Sequence, residues 1–147
     1  MDNTFGTIVS YRPDIKVVDA TLRDGGLVNN FGFTTEFVKD LYKTNISAGV
    51  DYMEFGYKAS KDIFDPKDFG KWKFSNEDYI REIVGDNDSD LKICVMADVG
   101  RTDYKRDIIN KEDSVIDMIR VATYIHQIPT AIDMISDAKA KGYEVTV

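Results

Sequence analysis

The sequence predicts an α/β fold on a parallel sheet of the (β/α) TIM-barrel type, carried through about the first four and a half βα units. Three observations predict it. Short apolar runs recur between segments of helical period. The run at 91–97 is apolar almost without a break, as a strand covered on both faces must be. Polar and charged residues collect where each run ends, and in a parallel barrel those ends converge on one mouth.

The elements follow in order. Residues 16–20 form the first strand, and Arg23-Asp24-Gly25-Gly26 reads as the turn leaving its end, with the glycines free to bend the chain. Residues 34–48 read as a helix with Phe37, Val38, Leu41 and Tyr42 on one face, Thr34 or Thr35 capping the start and Gly49 ending it. Residues 51–57 are a second strand, in which Met53, Phe55 and Tyr57 alternate with Tyr52, Glu54 and Gly56. Ser75-Asn76-Glu77-Asp78 resembles a capping box and opens a helix that stops at Gly85.

The third strand, at 91–97, is closed by Asp98-Val99-Gly100, and the polar stretch 102–111 shows no strong helical period. A fourth strand covers 114–122. A helix over 126–141 then carries Pro129 in its first turn and Gly142 past its end, with Ile128, Ile132, Ile135 and Ala138 expected inward. Residues 143–147 begin a fifth strand.

Bulk composition bounds the function. With 147 residues, 43% hydrophobic and 31% charged, the chain can build a real core and is not of disordered type. A net charge of −7 argues against a dominant nucleic-acid or anionic-membrane surface, yet leaves room for a local cationic pocket. Cys94 stands alone in an apolar run and reads as a buried, reduced thiol. No stretch approaches the roughly 18 apolar residues of a membrane span, and residues 1–4 lack a signal-peptide layout. The expectation is a soluble, cytoplasmic protein that binds neither nucleic acid nor membrane. Without repeats or linker-like segments, residues 1–147 read as one portion of a single domain.

The strand ends carry the candidate chemistry: Arg23, Asp24, Asn29 and Asn30 after the first, Glu54 on the second, Asp98 after the third and Arg120 on the fourth. Together they would surround one small anionic ligand. Asp24 offers the hard oxygen that Mg²⁺ or Mn²⁺ prefers. Arg23 offers directed N–H groups for a carboxylate or an enolate oxygen. Plain salt bridging competes with each role: Arg23 with Asp24, Glu54 with Arg120, and Asp98 as a cap for the segment after it. His126 reads as structural, and no nucleophile triad or phosphate loop is present. The long connection 58–74 carries Phe64, Phe69, Trp72 and Phe74 among five lysines. It is either a lid over the mouth or a loop pinned to the scaffold by its rings.

The stretch Asp19-Ala20-Thr21-Leu22-Arg23-Asp24-Gly25 resembles the first-strand signature of the HMG-CoA lyase-like superfamily, the DRE-TIM metallolyases. Glu54-Phe55-Gly56, Met96-Ala97-Asp98 and Ile119-Arg120-Val121-Ala122-Thr123 fall where that family has comparable strand ends. The form Leu22-Arg23-Asp24-Gly25-Gly26, with Asn29-Asn30, is most similar to an aldolase branch resembling 4-hydroxy-2-oxovalerate aldolase. The likeness spans the chain but only the N-terminal half of the family's barrel.

The resemblance implies a metal-dependent aldolase or lyase that breaks a C–C bond in a small 2-oxo acid adduct through a metal-bound enolate. Arg23 would polarise the keto or enolate oxygen, and Asp24 would bind Mg²⁺, Mn²⁺ or Zn²⁺. Asn29, Asn30, Glu54, Asp98 and Arg120 are the candidate substrate contacts. Two features depart from the pattern. The family's His-x-His metal pair on a later strand has no counterpart here, and Leu27 stands where the aldolases carry a catalytic His or Gln. Alternative readings are an acyl-CoA condensing synthase of the same superfamily, or a non-catalytic barrel module that binds a small anion or a partner. A homo-oligomer is expected; the half-barrel alone is expected to be inactive, and either insoluble or paired with a second copy across its open sheet edge.

Overall fold

The computed structural model describes residues 13–147. The signal-peptide reading of residues 1–4 falls outside them. Among the described residues five strands form one sheet: β1 (Val18–Asp19), β2 (Tyr52–Tyr57), β3 (Lys92–Asp98), β4 (Met118–Ala122) and β5 (Glu144–Thr146). All pair in parallel, in the order β1-β2-β3-β4-β5. A doubly wound sheet reverses its strand order at a switch point. This sheet never reverses, so the architecture is a sector of a parallel (β/α) barrel.

The strands of the described residues are connected by the helices α1 (Thr21–Asn29), α2 (Thr35–Ala48), α3 (Glu77–Val84), α4 (Tyr104–Asp107) and α5 (Ile128–Ala140). No helix among the described residues is long and apolar enough to cross a membrane. The main core lies between the helices and one sheet face, with Met53, Phe55, Ile93, Val95, Ala97, Ile119 and Val121 buried in it. On the other face Tyr52, Cys94 and Met118 form a smaller cluster, and Glu54 is fully buried. Cys94 is buried, as its apolar run implies, and that burial pushes its thiol far up.

α2 follows its sequence signals. The Thr34 hydroxyl accepts from the Phe37 N–H at 3.2 Å, and Gly49 ends the helix in the left-handed region at φ 70°. Its predicted apolar face is displaced at one position: Val38 is buried, whereas Phe37 is partly exposed and stacks on Phe33 at 5.3 Å. α3 is capped by Asn76, which accepts from the Tyr79 N–H at 3.0 Å. Ser75 is buried just before it and donates to the Trp72 carbonyl.

Three further expectations need correcting. β4 begins at Met118 and not at 114, because the Ser114 hydroxyl and the Val115 N–H are held by Glu77 of α3. The predicted helix at 126–141 starts at Ile128, after a short 3₁₀ turn at Ile125–Gln127. It buries Ala131, Met134 and Ala138, leaving Ile128 and Ile132 on the exposed side. Ala131 and Ala138 flank Met134 on the buried face, and this face, not the Ile128–Ile132 side, meets β4 and β5. The polar stretch 102–111 contains the one-turn α4, started by the Asp103 side chain.

The 58–74 connection is pinned. Trp72 and Phe74 are buried, Trp72 packs on Phe55 at 5.5 Å, and Phe64 meets Phe69 edge-on at 5.7 Å. Lys73 is nearly buried inside a cage of rings, with Nζ 4.3 Å from the centroid of Phe64, 4.7 Å from Tyr57, 5.1 Å from Phe31 and 5.4 Å from Phe69. An ammonium enclosed this way gains cation–π attraction from each ring.

Gly56 makes a bulge in β2. Glu54 pairs with Cys94 but Tyr57 pairs with Met96, so β2 carries one extra residue there. Its φ of 152° suits glycine alone, and a Cβ would lie 2.1 Å from the Trp72 carbonyl oxygen. Gly56→Ala is therefore expected to cost roughly 2–4 kcal/mol of stability. A thermal or urea melt checks this, and an unchanged midpoint would contradict the close approach.

Candidate active site

The Arg23-Asp24-Gly25-Gly26 stretch does not lie on a strand end. β1 is only Val18–Asp19, and the motif occupies α1. Asp19 anchors the start: it accepts from the Thr21 hydroxyl at 2.6 Å and from the Asn45 amide at 2.9 Å. Leu22 is fully buried under the helix. At Gly26 the Phe31 ring lies where a Cβ would be, 2.1 Å away, so glycine is needed there for close packing and not for a turn. Arg23 and Asp24 are thus consecutive on a helix, about 100° apart, and can share a site without any distortion.

Arg23 points from α1 over the inner face of the sheet and meets Glu54. Its Nε donates to Glu54 Oε2 at 2.9 Å. Arg120 of β4 approaches the same oxygen at 3.4 Å, and the Cys94 thiol lies 3.8 Å from the other. One fully buried carboxylate therefore orients two guanidiniums. Arg23 is also paired with Asp24, whose side chain is 61% exposed. Burial works against the Arg23 charge, but Glu54, Tyr57 and Asp24 outweigh it and hold the guanidinium above its ordinary value.

The bulge at Gly56 turns Tyr57 to the same face as Glu54, beside Arg23. Burial pushes its hydroxyl up, and Arg23 pulls it partly back. Asp98 ends β3 one pleat beyond Met96, which is level with Arg120. Its carboxylate pairs with Arg101 at 3.6 Å, and its N–H donates to the Thr102 hydroxyl. Burial raises the Asp98 carboxyl, while Arg101, Lys73 and Arg23 draw it down. Burial in turn lowers the Lys73 ammonium against the pull of Asp98.

The candidates thus divide into two sets. Arg23, Asp24, Glu54 and Arg120 are joined by direct contacts, and the Arg23 charge acts on Asp98. Asn29 and Asn30 stand apart at the exposed end of α1, where Asn30 is its left-handed C-cap at φ 53°. Tyr57, Lys73 and Arg101 belong to the mouth and were not singled out from sequence. The glycine within an otherwise apolar strand was the available signal for Tyr57, since such a residue marks a bulge.

Among the described residues no group of three or more His, Cys, Asp or Glu side chains is arranged to hold a metal ion. Asp24 offers one exposed carboxylate, and Glu54 is already committed to two arginines. Asp24 is thus the carboxylate of this cluster open to a hard ion such as Mg²⁺, and it is itself paired with Arg23.

The fold and this cluster define a barrel sector in which α1 and β4 bring two oriented arginines to a buried glutamate of β2. No family model and no curated protein matches the chain. Among solved structures it is similar to the N-terminal domain of a putative aldolase from Bacteroides vulgatus, with a TM-score of 0.67 and 27% identity. The match covers 89% of this chain and 43% of that one, so the chain spans less than half the length of this neighbour.

Proposed function

We propose that the whole protein is a divalent-metal-dependent aldolase of the HMG-CoA lyase-like superfamily, cleaving a small 2-oxo acid adduct to an enolate and an aldehyde. The observation that carries this reading is the pair of guanidiniums, Arg23 and Arg120, oriented by the buried Glu54. The likeness to an aldolase-type domain supports it.

Arg23 keeps N–H donors beyond the one given to Glu54, and these stabilise negative charge on the C2 oxygen as the C–C bond breaks. Arg120 grips the substrate carboxylate. Glu54 fixes both arginines before the substrate arrives, so little reorganisation is needed in the transition state. Asp24 would hold a divalent ion, which when bound would supply Lewis-acid polarisation.

Titrating Mn²⁺ into the full-length protein and its Asp24→Ala variant tests the metal role. The affinity loss should exceed the roughly 10–100-fold cost of removing an outer-shell partner. Equal binding in both would remove Asp24 as a ligand. No metal-dependent cleavage across a panel of 4-hydroxy-2-oxo acids would remove the aldolase. One observation favours a second reading, a non-catalytic anion-binding module: Leu27 is 61% exposed on α1 and supplies no acid–base group. Pyruvate binding without turnover would support that reading.

A further inference from the structure

An aldol cleavage needs a group to take the hydroxyl proton, and α1 supplies none at Leu27. We propose that Asp98 is the proton-transfer residue of this site, an inference that rests on the aldolase reading above.

Three carboxylates reach the mouth, and their surroundings assign them different work. Glu54 is fully buried, with one oxygen held by two arginines and the other facing the Cys94 thiol. It cannot approach a substrate proton. Asp24 is largely exposed, is paired with Arg23 and is already assigned to the metal. Asp98 is sheltered but open. Its side chain is 20% exposed, and its ion pair with Arg101 is long at 3.6 Å. It lines a recess of about 230 Å³ at the ends of β3 and β4, together with Arg101, Thr123, Tyr124 and Gln127. A small adduct reaching from Arg120 towards this recess would bring its C4 hydroxyl to Asp98.

The groups facing Asp98 are Arg101 from the turn after β3, Lys73 from the 58–74 connection, Arg23 from α1 and Tyr57 from β2. Burial favours its protonated form and the cations oppose this, leaving the carboxyl above its ordinary value. A carboxylate raised in this way is a better base near neutral pH than an exposed one. In the step itself Asp98 takes the proton from the C4 hydroxyl. The C4–O electrons form the aldehyde carbonyl as the C3–C4 bond breaks, that bond's pair becomes the C2=C3 double bond, and the C2=O π pair moves onto oxygen to give the enolate. The same proton then returns to C3, giving the 2-oxo acid, so no further reactant is consumed.

The test compares the full-length wild type with Asp98→Asn and Asp98→Glu, using a 4-hydroxy-2-oxo acid with Mg²⁺. Asp98→Asn should lower kcat by about 10²–10⁴. Its KM and its affinity for oxalate, a stable mimic of the enolate, should change little. The acidic limb of the kcat/KM profile, where activity rises as the base loses its proton, should vanish. Asp98→Glu should restore part of the rate. Wild-type rate and limb in Asp98→Asn would overturn the proposal alone. So would a loss of oxalate affinity as large as the loss of rate, which would mark a binding role. An inactive wild type would overturn the aldolase reading and this inference with it.

Discussion

Glu54→Ala will destabilise the protein by about 3–5 kcal/mol, the range seen when one partner of a buried ion pair is removed. Glu54 has no exposure, and Arg23 is only 14% exposed through its side chain. Removing the carboxylate leaves two guanidiniums facing each other with no charge between them. It also opens a void beside Cys94. Glu54→Gln should cost less, because the amide oxygen can still accept from Arg23 Nε and the volume is kept. A chemical melt of the three proteins checks the order wild type, Gln, Ala. Equal stability of Ala and wild type would mean that the two arginines do not depend on Glu54.

Arg23→Lys will abolish most cleavage while sparing much of the fold. A lysine presents a point charge and cannot fork between Glu54, Tyr57 and Asp24 as the guanidinium does. With the directed donors gone, the developing enolate oxygen loses its support, and kcat should fall by about 10²–10³. Substrate affinity should fall less, because Arg120 remains. Steady-state kinetics separate the two effects: an unchanged kcat with a raised KM would make Arg23 a binding group only.

The sequence was most legible where one local signal decided the structure. Thr34 and Gly49 bound α2 as expected, and the apolar runs became β2 and β3 within a residue at each end. The arginine pair around Glu54 was also within reach, since Glu54 and Arg120 lie on strands that a parallel sheet brings close. What stayed hidden depended on distant packing. Arg23-Asp24-Gly25-Gly26 reads as a turn because two glycines disfavour a helix. Tertiary contact reverses that preference, with Leu22 buried beneath α1 and the Phe31 ring seated on Gly26. Strict alternation puts Tyr57 on the wrong face, because the Gly56 bulge breaks the alternation. The Lys73 cage draws rings from three separate segments, and no local pattern announces such a meeting.

The central claim is that Arg23, oriented by Glu54, stabilises the enolate of a 2-oxo acid. Solvent deuterium incorporation at C3 of pyruvate tests it most directly, because it needs no knowledge of the aldehyde partner. The full-length protein with Mg²⁺ should exchange the C3 protons well above the protein-free rate, and Arg23→Lys should lose that exchange. Bound pyruvate with no exchange, or equal exchange in wild type and Arg23→Lys, would contradict the claim.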